Sequence, residues 1–221
     1  MDGDMDLVVG NHGLNSRFEA SKEKPIQLYI KDFDLNGTPD PVICQFNGDK
    51  AYPLALLHDL LMQLPGLKKK YFKYSDYKDQ TIEDVFTEKQ LSGSVIKTAY
   101  NLNTSVLINS GDGTFLMEAL PLAAQFSPTY GILVEDFDKD DYPDILLGGN
   151  LYGVKPEVGR YDASYGLMLK GRGDNTFETI FSRESGFFVK GEVRDIMPLN
   201  VEGKTLVLVT RNNEQMQVFE Y

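Results

Sequence analysis

The chain has 221 residues, of which 42% are apolar and 25% are charged, a composition typical of a soluble globular protein with one or two domains. With 22 basic and 33 acidic residues the formal net charge is -11, which argues against nucleic acid or an anionic membrane as a partner. The single cysteine, Cys44, excludes an internal disulfide framework and a cysteine-rich zinc site.

The first residues of the chain are acidic and lead into an apolar stretch. Asp2, Asp4 and Asp6 precede Leu7–Val9, just as the second half of an acidic loop leads into a strand further along the chain. Met1 is not followed by the basic and then apolar residues of a signal peptide. We therefore expect the sequence to begin inside such a loop, as part of a larger exported protein (secreted, periplasmic or on the cell surface) whose signal peptide lies outside it.

Two nine-residue segments of the chain match each other. Asp32–Asp40 reads DFDLNGTPD and Asp136–Asp144 reads DFDKDDYPD, so both follow the pattern D-F-D-x-[ND]-x-x-P-D. Apolar runs typical of short strands flank both segments. The order strand, acidic loop, strand therefore occurs twice, which indicates a repeat architecture.

Residues 53–95 interrupt the repeats. Leucines recur there at helical spacing, at Leu54, Leu57, Leu60, Leu61 and Leu64. Pro65 and Gly66 are expected to end this helix, and Thr81–Asp84 has the pattern of a capping box that begins a second one. The sequence therefore predicts three segments: a truncated blade and the first acidic loop at 1–52, a helical insertion at 53–95, and further blades at 96–221.

Two turn motifs and a degenerate repeat complete the chain. Asn109–Phe115 and Lys170–Phe177 combine Asp or Asn with Gly between short apolar runs, which predicts antiparallel hairpins rather than βαβ units. Arg172–Asp174 reads RGD, but it overlaps the second turn, and we interpret it as part of that turn. Residues 193–212 keep the rhythm of strand, loop and strand, so we interpret them as a degenerate repeat that has lost the acids of its loop.

The acidic loops carry oxygen donors at alternate positions, which is how a short loop can supply the six to eight oxygen ligands of Ca²⁺. The predicted calcium ligands, with position seven acting through its backbone carbonyl, are Asp32, Asp34, Asn36, Thr38 and Asp40 in the first loop and Asp136, Asp138, Asp140, Tyr142 and Asp144 in the second. Asp2, Asp4 and Asp6 are candidates for a partial site.

Two alternatives apply to these loops. An EF-hand begins with the same acids but needs a glutamate at position twelve and flanking helices. Ile43 and Leu147 occupy position twelve and the flanks are strand-like, which rejects the EF-hand. The second alternative is a pair of acidic turns without metal, since Asp and Asn favour turns on their own. Mutual repulsion of the clustered carboxylates favours a bound cation over that alternative.

The acidic loops and the N-x-G-D-G-T-F turn resemble the FG-GAP/VCBS repeats of integrin-α-like β-propellers. The insertion and its surroundings resemble the C-terminal region of exported bacterial VCBS-repeat proteins, including those with an ASPIC/UnbV module. The resemblance implies four-stranded antiparallel blades, a calcium ion at each loop, and a secreted or cell-surface binding role. The chain departs from the family pattern in its truncated first copy, its acid-free last copy and its helical interruption.

We therefore expect an all-β fold, a partial β-propeller of antiparallel four-stranded blades with a small α-helical insertion. Two or three complete blades are too few to close a ring of four to eight. Missing blades of the parent protein, or a second copy of the chain, are expected to cover the exposed edges. No apolar run approaches the length of about 18 residues that a membrane-spanning helix needs.

The expected function is non-catalytic recognition of a protein or carbohydrate ligand. A stretch between two strands has the tyrosines and arginine common in binding loops, and its candidate ligand-binding residues are Tyr152, Arg160, Tyr161 and Tyr165. Two alternatives stay open, a propeller domain of a polysaccharide lyase or glycoside hydrolase, and a structural spacer without a ligand.

Overall fold

The structure, a computed structural model, describes residues 4–221 and is mostly β, with 37% strand and 15% helix. Its strands are β1 (Leu7–Val9), β2 (Ile26–Lys31), β3 (Asp40–Asn47), β4 (Lys50–Pro53), β5 (Val95–Ala99), β6 (Ser105–Asn109), β7 (Phe115–Ala119), β8 (Thr129–Glu135), β9 (Asp144–Gly149), β10 (Leu167–Gly171), β11 (Phe177–Ile180), β12 (Val193–Val201), β13 (Lys204–Arg211) and β14 (Gln217–Glu220). Its α-helices are α1 (Leu57–Gln63), α2 (Tyr74–Tyr77), α3 (Ile82–Val85), α4 (Glu88–Leu91) and α5 (Ser182–Ser185), and 3₁₀ helices span Pro65–Lys69 and Leu122–Gln125.

The chain forms two compact units. The split unit combines the N-terminal stretch to Ser16 with Leu102–Tyr221, and the inserted unit is Arg17–Asn101. The split unit is discontinuous because β1 pairs antiparallel with β6, so that Leu7 lies opposite Leu107. This grouping differs from the three consecutive segments 1–52, 53–95 and 96–221, since the inserted sheet and its helices fold together between β1 and β6.

The split unit contains three antiparallel sheets, ordered β1-β6-β7, β11-β10-β9-β8 and β12-β13-β14. All six residues of β9 are buried, and their side chains alternate between two cores. Ile145 and Leu147 pack into a cluster with Val106 of β6, while Leu146 packs into another with Val193 of β12. The four-stranded sheet therefore lies between the other two.

Glycines allow two of these sheets to approach closely. A Cβ at Gly148 on β9 would lie 2.7 Å from Cγ1 of Val193, and one at Gly131 on β8 would lie 2.8 Å from Cγ1 of Ile196. Both distances are below van der Waals contact, so any larger residue at either position would push β12 away.

The inserted unit has one four-stranded antiparallel sheet, ordered β4-β3-β2-β5, and helices α1 to α4 lie between β4 and β5 along the chain. The expected helix boundaries are confirmed. Helix α1 ends at Gln63 just before Pro65, and Thr81 caps α3 in a capping box with Asp84. Leu60, Ile82 and Phe86 are almost completely buried against the sheet in one core.

The β-rich, antiparallel part of the predicted fold is confirmed. Two of the four sheets have four strands and two have three, and within residues 4–221 the sheets do not close into a ring. In the segment interpreted as a degenerate repeat, β12 and β13 join through Glu202 and Gly203, both with positive φ (51° and 82°). A two-residue hairpin turn of this kind leaves no room for a nine-residue loop.

Candidate metal centres

The first acidic loop connects β2 to β3 and is closed by hydrogen bonds to its own carboxylates. Asp32 accepts hydrogen bonds from the backbone N–H groups of Asn36 (3.0 Å) and Gly37 (2.7 Å). Asp40, at position nine, accepts one from the N–H of Phe33 (2.9 Å), and Asn36 Oδ1 accepts one from the N–H of Thr38 (2.8 Å). Acids at positions one and nine thus tie the ends of the loop together.

The second acidic loop connects β8 to β9 with the same pattern. Asp136 accepts hydrogen bonds from the N–H groups of Asp140 (3.1 Å) and Asp141 (3.0 Å). Asp144 accepts one from the N–H of Phe137 (3.1 Å), and Asp140 Oδ1 accepts one from the N–H of Tyr142 (3.0 Å). Positions four and six have positive φ in both loops, at Leu35 and Gly37 (61° and 89°) and at Lys139 and Asp141 (62° and 68°). The sequence repeat is therefore also a conformational repeat.

Carboxylates converge in each loop. Oxygens of Asp32, Asp34 and Asp40 lie within 4.8 Å of one another, and so do those of Asp136, Asp138 and Asp144. Both triads run from an exposed acid at position three to a buried one at position nine, where Asp40 and Asp144 are 3% and 0% exposed. Oxygen-only donor sets of this kind fit hard divalent cations such as Ca²⁺.

Asp144 has an electrostatic environment that favours neutralisation. Burial raises the pKa of its carboxyl, the N–H groups of Gly171 and Phe137 oppose that rise, and the charges of Asp138 and Asp140 add to it. A cation near these carboxylates would remove the repulsion that raises this pKa.

Lys170 distinguishes the second loop from the first. Its ammonium donates a hydrogen bond to Asp138 and lies 3.0 Å from Oδ2 of Asp140. The hydrogen bond from Lys170 is the main cause that lowers the pKa of Asp140, and the hydrogen bond to Asp138 is the main cause that raises the pKa of Lys170. Lys170 was not among the residues predicted from the sequence. Lys170 begins the turn motif Lys170–Phe177, but nothing in that motif indicates a contact with the acidic loop.

The position-seven residues Thr38 and Tyr142 each donate the backbone N–H to the position-five side chain of their loop. At the N-terminus, Asp2 lies outside the described residues. Asp6 accepts a hydrogen bond from the N–H of Asn109 (2.8 Å), as Asp144 does from Gly171 (2.9 Å). Asp6 therefore has the position-nine contact of a complete loop, and Asp4 lines a cavity of about 610 Å³ beside it.

The candidate ligand-binding residues lie in the connection between β9 and β10, and their side chains have different partners. The Arg160 guanidinium lies 4.9 Å from the ring centre of Tyr152, and Tyr165 stacks on Phe188 at 5.6 Å. Tyr161 instead has a buried hydroxyl and packs edge-on against His12.

Asn150 and Glu192 hold this connection in place. The Asn150 side chain exchanges two hydrogen bonds with the backbone of Ser164, and Glu192 accepts one from the N–H of Tyr152 (2.7 Å). These hydrogen bonds fix the conformation of the connection between β9 and β10.

No protein-family model matches the chain, and no curated protein matches it either. The resemblance to FG-GAP/VCBS repeats therefore stays a prediction. None of the helices within residues 4–221 has the length and apolar character that crossing a membrane requires.

Proposed function

We propose that this chain is a non-catalytic, calcium-binding module whose sheets are blades of a β-propeller, and that it recognises a protein or carbohydrate ligand outside the cell. One observation carries the calcium part of the proposal. Two loops in different units of the chain have the same four hydrogen bonds, the same positive-φ positions and the same converging acids. A conformation that recurs in two different sheets is expected of a loop selected for one ligand.

The residues that would hold calcium are the side chains at positions one, three, five and nine of each loop. In the first loop these are Asp32, Asp34, Asn36 and Asp40. The ion would supply positive charge between carboxylates that otherwise repel one another, and so would add its binding free energy to the stability of the folded chain. Its role would be structural, because these acids lie between consecutive strands of a sheet.

The blade interpretation is supported by the split unit. Its middle sheet is a four-stranded meander in chain order, and β9 sends alternate side chains into the cores on its two faces. The recognition proposal is supported by the stacked aromatic pair Tyr165 and Phe188, whose side chains are 47% and 48% exposed. Tyr165 lies on the connection between β9 and β10, and Phe188 lies between α5 and β12. Exposed, pre-ordered aromatic side chains are common in binding surfaces.

Thermal unfolding with and without calcium tests the metal proposal. Calcium at about 100 times the dissociation constant of a loop should stabilise the wild-type chain by about 2.7 kcal/mol for that loop, and a chelator should reverse the change. The matched control is the quadruple variant Asp32→Ala, Asp34→Ala, Asp136→Ala and Asp138→Ala, whose midpoint should not respond to calcium. An unchanged midpoint of the wild type, together with no binding heat at several millimolar calcium, would refute the calcium proposal.

Recognition and catalysis are separated by a second pair of measurements. Glycan and peptide arrays probed with the calcium-loaded chain should give binding that Tyr165→Ala weakens. Incubation with mixed polysaccharides should release no reducing or unsaturated ends. Release of such ends would favour the carbohydrate-active enzyme, and an array without any binding would favour the structural spacer.

A further inference from the structure

A lysine from outside the second loop places its charge among the acids of that loop. Lys170 lies on β10, and its ammonium contacts Asp138 at position three and Asp140 at position five. The side chains of Lys170, Asp138 and Asp140 are 34%, 35% and 32% exposed, so the three charges meet at the mouth of the loop, partly removed from water. A cation is therefore already present at two of the oxygens that calcium would use.

The first loop has no such cation. Among residues 4–221, no lysine or arginine forms an ion pair with Asp32, Asp34 or Asp40. Lys31 precedes this loop directly, but its ammonium donates to the backbone carbonyls of Gln90 (2.7 Å) and Ser92 (2.6 Å). The acids of the first loop are thus left for an ion from solution.

The chain path explains the difference between the loops. In the split unit β10 runs back alongside β9, which brings Gly171 to Asp144 and Lys170 to the neighbouring acids. In the inserted unit the corresponding strand, β4, ends at Pro53, and the chain continues into α1. No residue of β4 therefore reaches the first loop in the way that Lys170 reaches the second.

We infer that Lys170 is a tethered cation that competes with calcium at the second loop, so that the first loop binds calcium more tightly. The inference rests on the proposed calcium function and assigns different roles to its two sites. Calcium needs six to eight oxygens, so its binding to the second loop requires Asp138 and Asp140 to exchange the ammonium for the metal. Without calcium, Lys170 neutralises part of the charge that would otherwise drive these acids apart.

Calcium titration calorimetry on single-loop proteins tests this inference. Asp32→Ala with Asp34→Ala leaves the second loop alone, and Asp136→Ala with Asp138→Ala leaves the first. Each is measured with and without Lys170→Met. Losing two partly exposed ion pairs should raise the affinity of the second loop about two- to thirtyfold and leave that of the first loop unchanged. Lys139→Met is the matched control, because it removes the same charge from exposed position four of the same loop.

Each outcome of the titration either supports or contradicts the competition between Lys170 and calcium. The inference stands if the first loop binds more tightly than the second and Lys170→Met, unlike Lys139→Met or Lys170→Arg, closes the gap. It fails if the two loops bind equally, or if Lys170→Met leaves the second loop as weak as before. Lys170→Gln replaces Lys170→Met if the methionine variant does not fold. If neither loop binds calcium in any variant, the proposed function itself fails, which is a different result from calcium binding that is insensitive to Lys170.

Discussion

The first and second acidic loops have the same backbone conformation but different surroundings. In both, the position-one carboxylate accepts from positions five and six, and the position-nine carboxylate accepts from position two. Only the second loop is also held by the next strand, because Gly171 donates to Asp144 and Lys170 contacts Asp138. The nine residues thus determine the backbone conformation of the loop. The strand β10 determines whether a lysine offsets the negative charge of the loop and whether a further hydrogen bond anchors it.

The largest expected difference concerns the buried carboxylate at position nine. Asp144→Ala leaves the N–H groups of Phe137 and Gly171 without their acceptor, while Asp40→Ala does so for Phe33. Each unsatisfied buried group costs about 1–3 kcal/mol, so we expect losses in the free energy of unfolding of about 2–6 and about 1–3 kcal/mol respectively. Urea unfolding in chelator, followed by circular dichroism, measures both.

Asparagine at the same positions controls for this prediction. Asp144→Asn keeps an acceptor oxygen and avoids burying a charge, whose cost is the main reason that the pKa of Asp144 is raised. It should therefore lose less than half as much stability as Asp144→Ala. Equal losses for Asp144→Ala and Asp40→Ala would show that the anchoring by β10 does not stabilise the second loop.

The second prediction concerns the close approach of β10 to the second loop. A Cβ at Gly171 would lie 2.2 Å from the backbone oxygen of Pro143, so Gly171→Ala must push the strand and the loop apart. We expect a loss of about 1–3 kcal/mol in the free energy of unfolding, as is usual for overpacking. Gly153→Ala is the matched control, because a Cβ there meets no atom within 4 Å. Similar effects of the two variants would contradict the close approach.

The sequence predicted those features that depend on neighbouring residues. The spacing of the acids in Asp32–Asp40 and Asp136–Asp144 predicted where the carboxylates converge, because a nine-residue loop brings its own side chains together. Thr81 with Asp84 predicted the start of α3 for the same reason, since both halves of a capping box lie within one turn.

The features that depend on distant strands were not predicted. The whole inserted unit lies between β1 and β6 in the sequence, so their pairing joins distant residues. A strand as short as Leu7–Val9 contains too little pattern to identify its partner. Lys170 was missed for a related reason. Its contact with Asp138 follows from the antiparallel register of β9 and β10, which no local pattern reveals.

The third prediction concerns position six, where the two loops have different residues in the same conformation. Gly37 and Asp141 both have positive φ, which costs a residue with a Cβ about 1–2 kcal/mol and aspartate somewhat less. Gly37→Ala should therefore destabilise the chain by about 1 kcal/mol, although a Cβ at position 37 would meet no atom within 4 Å. Asp141→Gly should have no effect on stability or should increase it slightly. Urea unfolding in chelator checks both signs, and a stabilising Gly37→Ala would contradict the shared backbone.

The smallest expected effect is that of Lys170 on stability without calcium, and its pH dependence identifies the cause. Lys170→Met should lower the free energy of unfolding at neutral pH, because an ion pair between partly exposed groups contributes little but measurably. The hydrogen bond from Lys170 lowers the pKa of Asp140 in the folded chain. The stability that this ion pair contributes is therefore present above the pKa of an aspartate in the unfolded chain, about 3.9, and is lost as the pH falls through the lower pKa of Asp140 in the folded chain. The pKa of Lys170 is itself raised, so at the basic end the contribution is lost only above the unfolded lysine value of about 10.4.

The difference between wild type and Lys170→Met in chelator should therefore be constant from about pH 5 to pH 9 and shrink below about pH 4. Lys139→Met, which removes the same charge without this contact, should give a smaller difference that added salt abolishes. A difference that persists unchanged at about pH 2, where the carboxylates are protonated, would show that the ion pairs of Lys170 are not its cause. In that case the second loop would differ from the first in its anchoring by β10 but not in its charge.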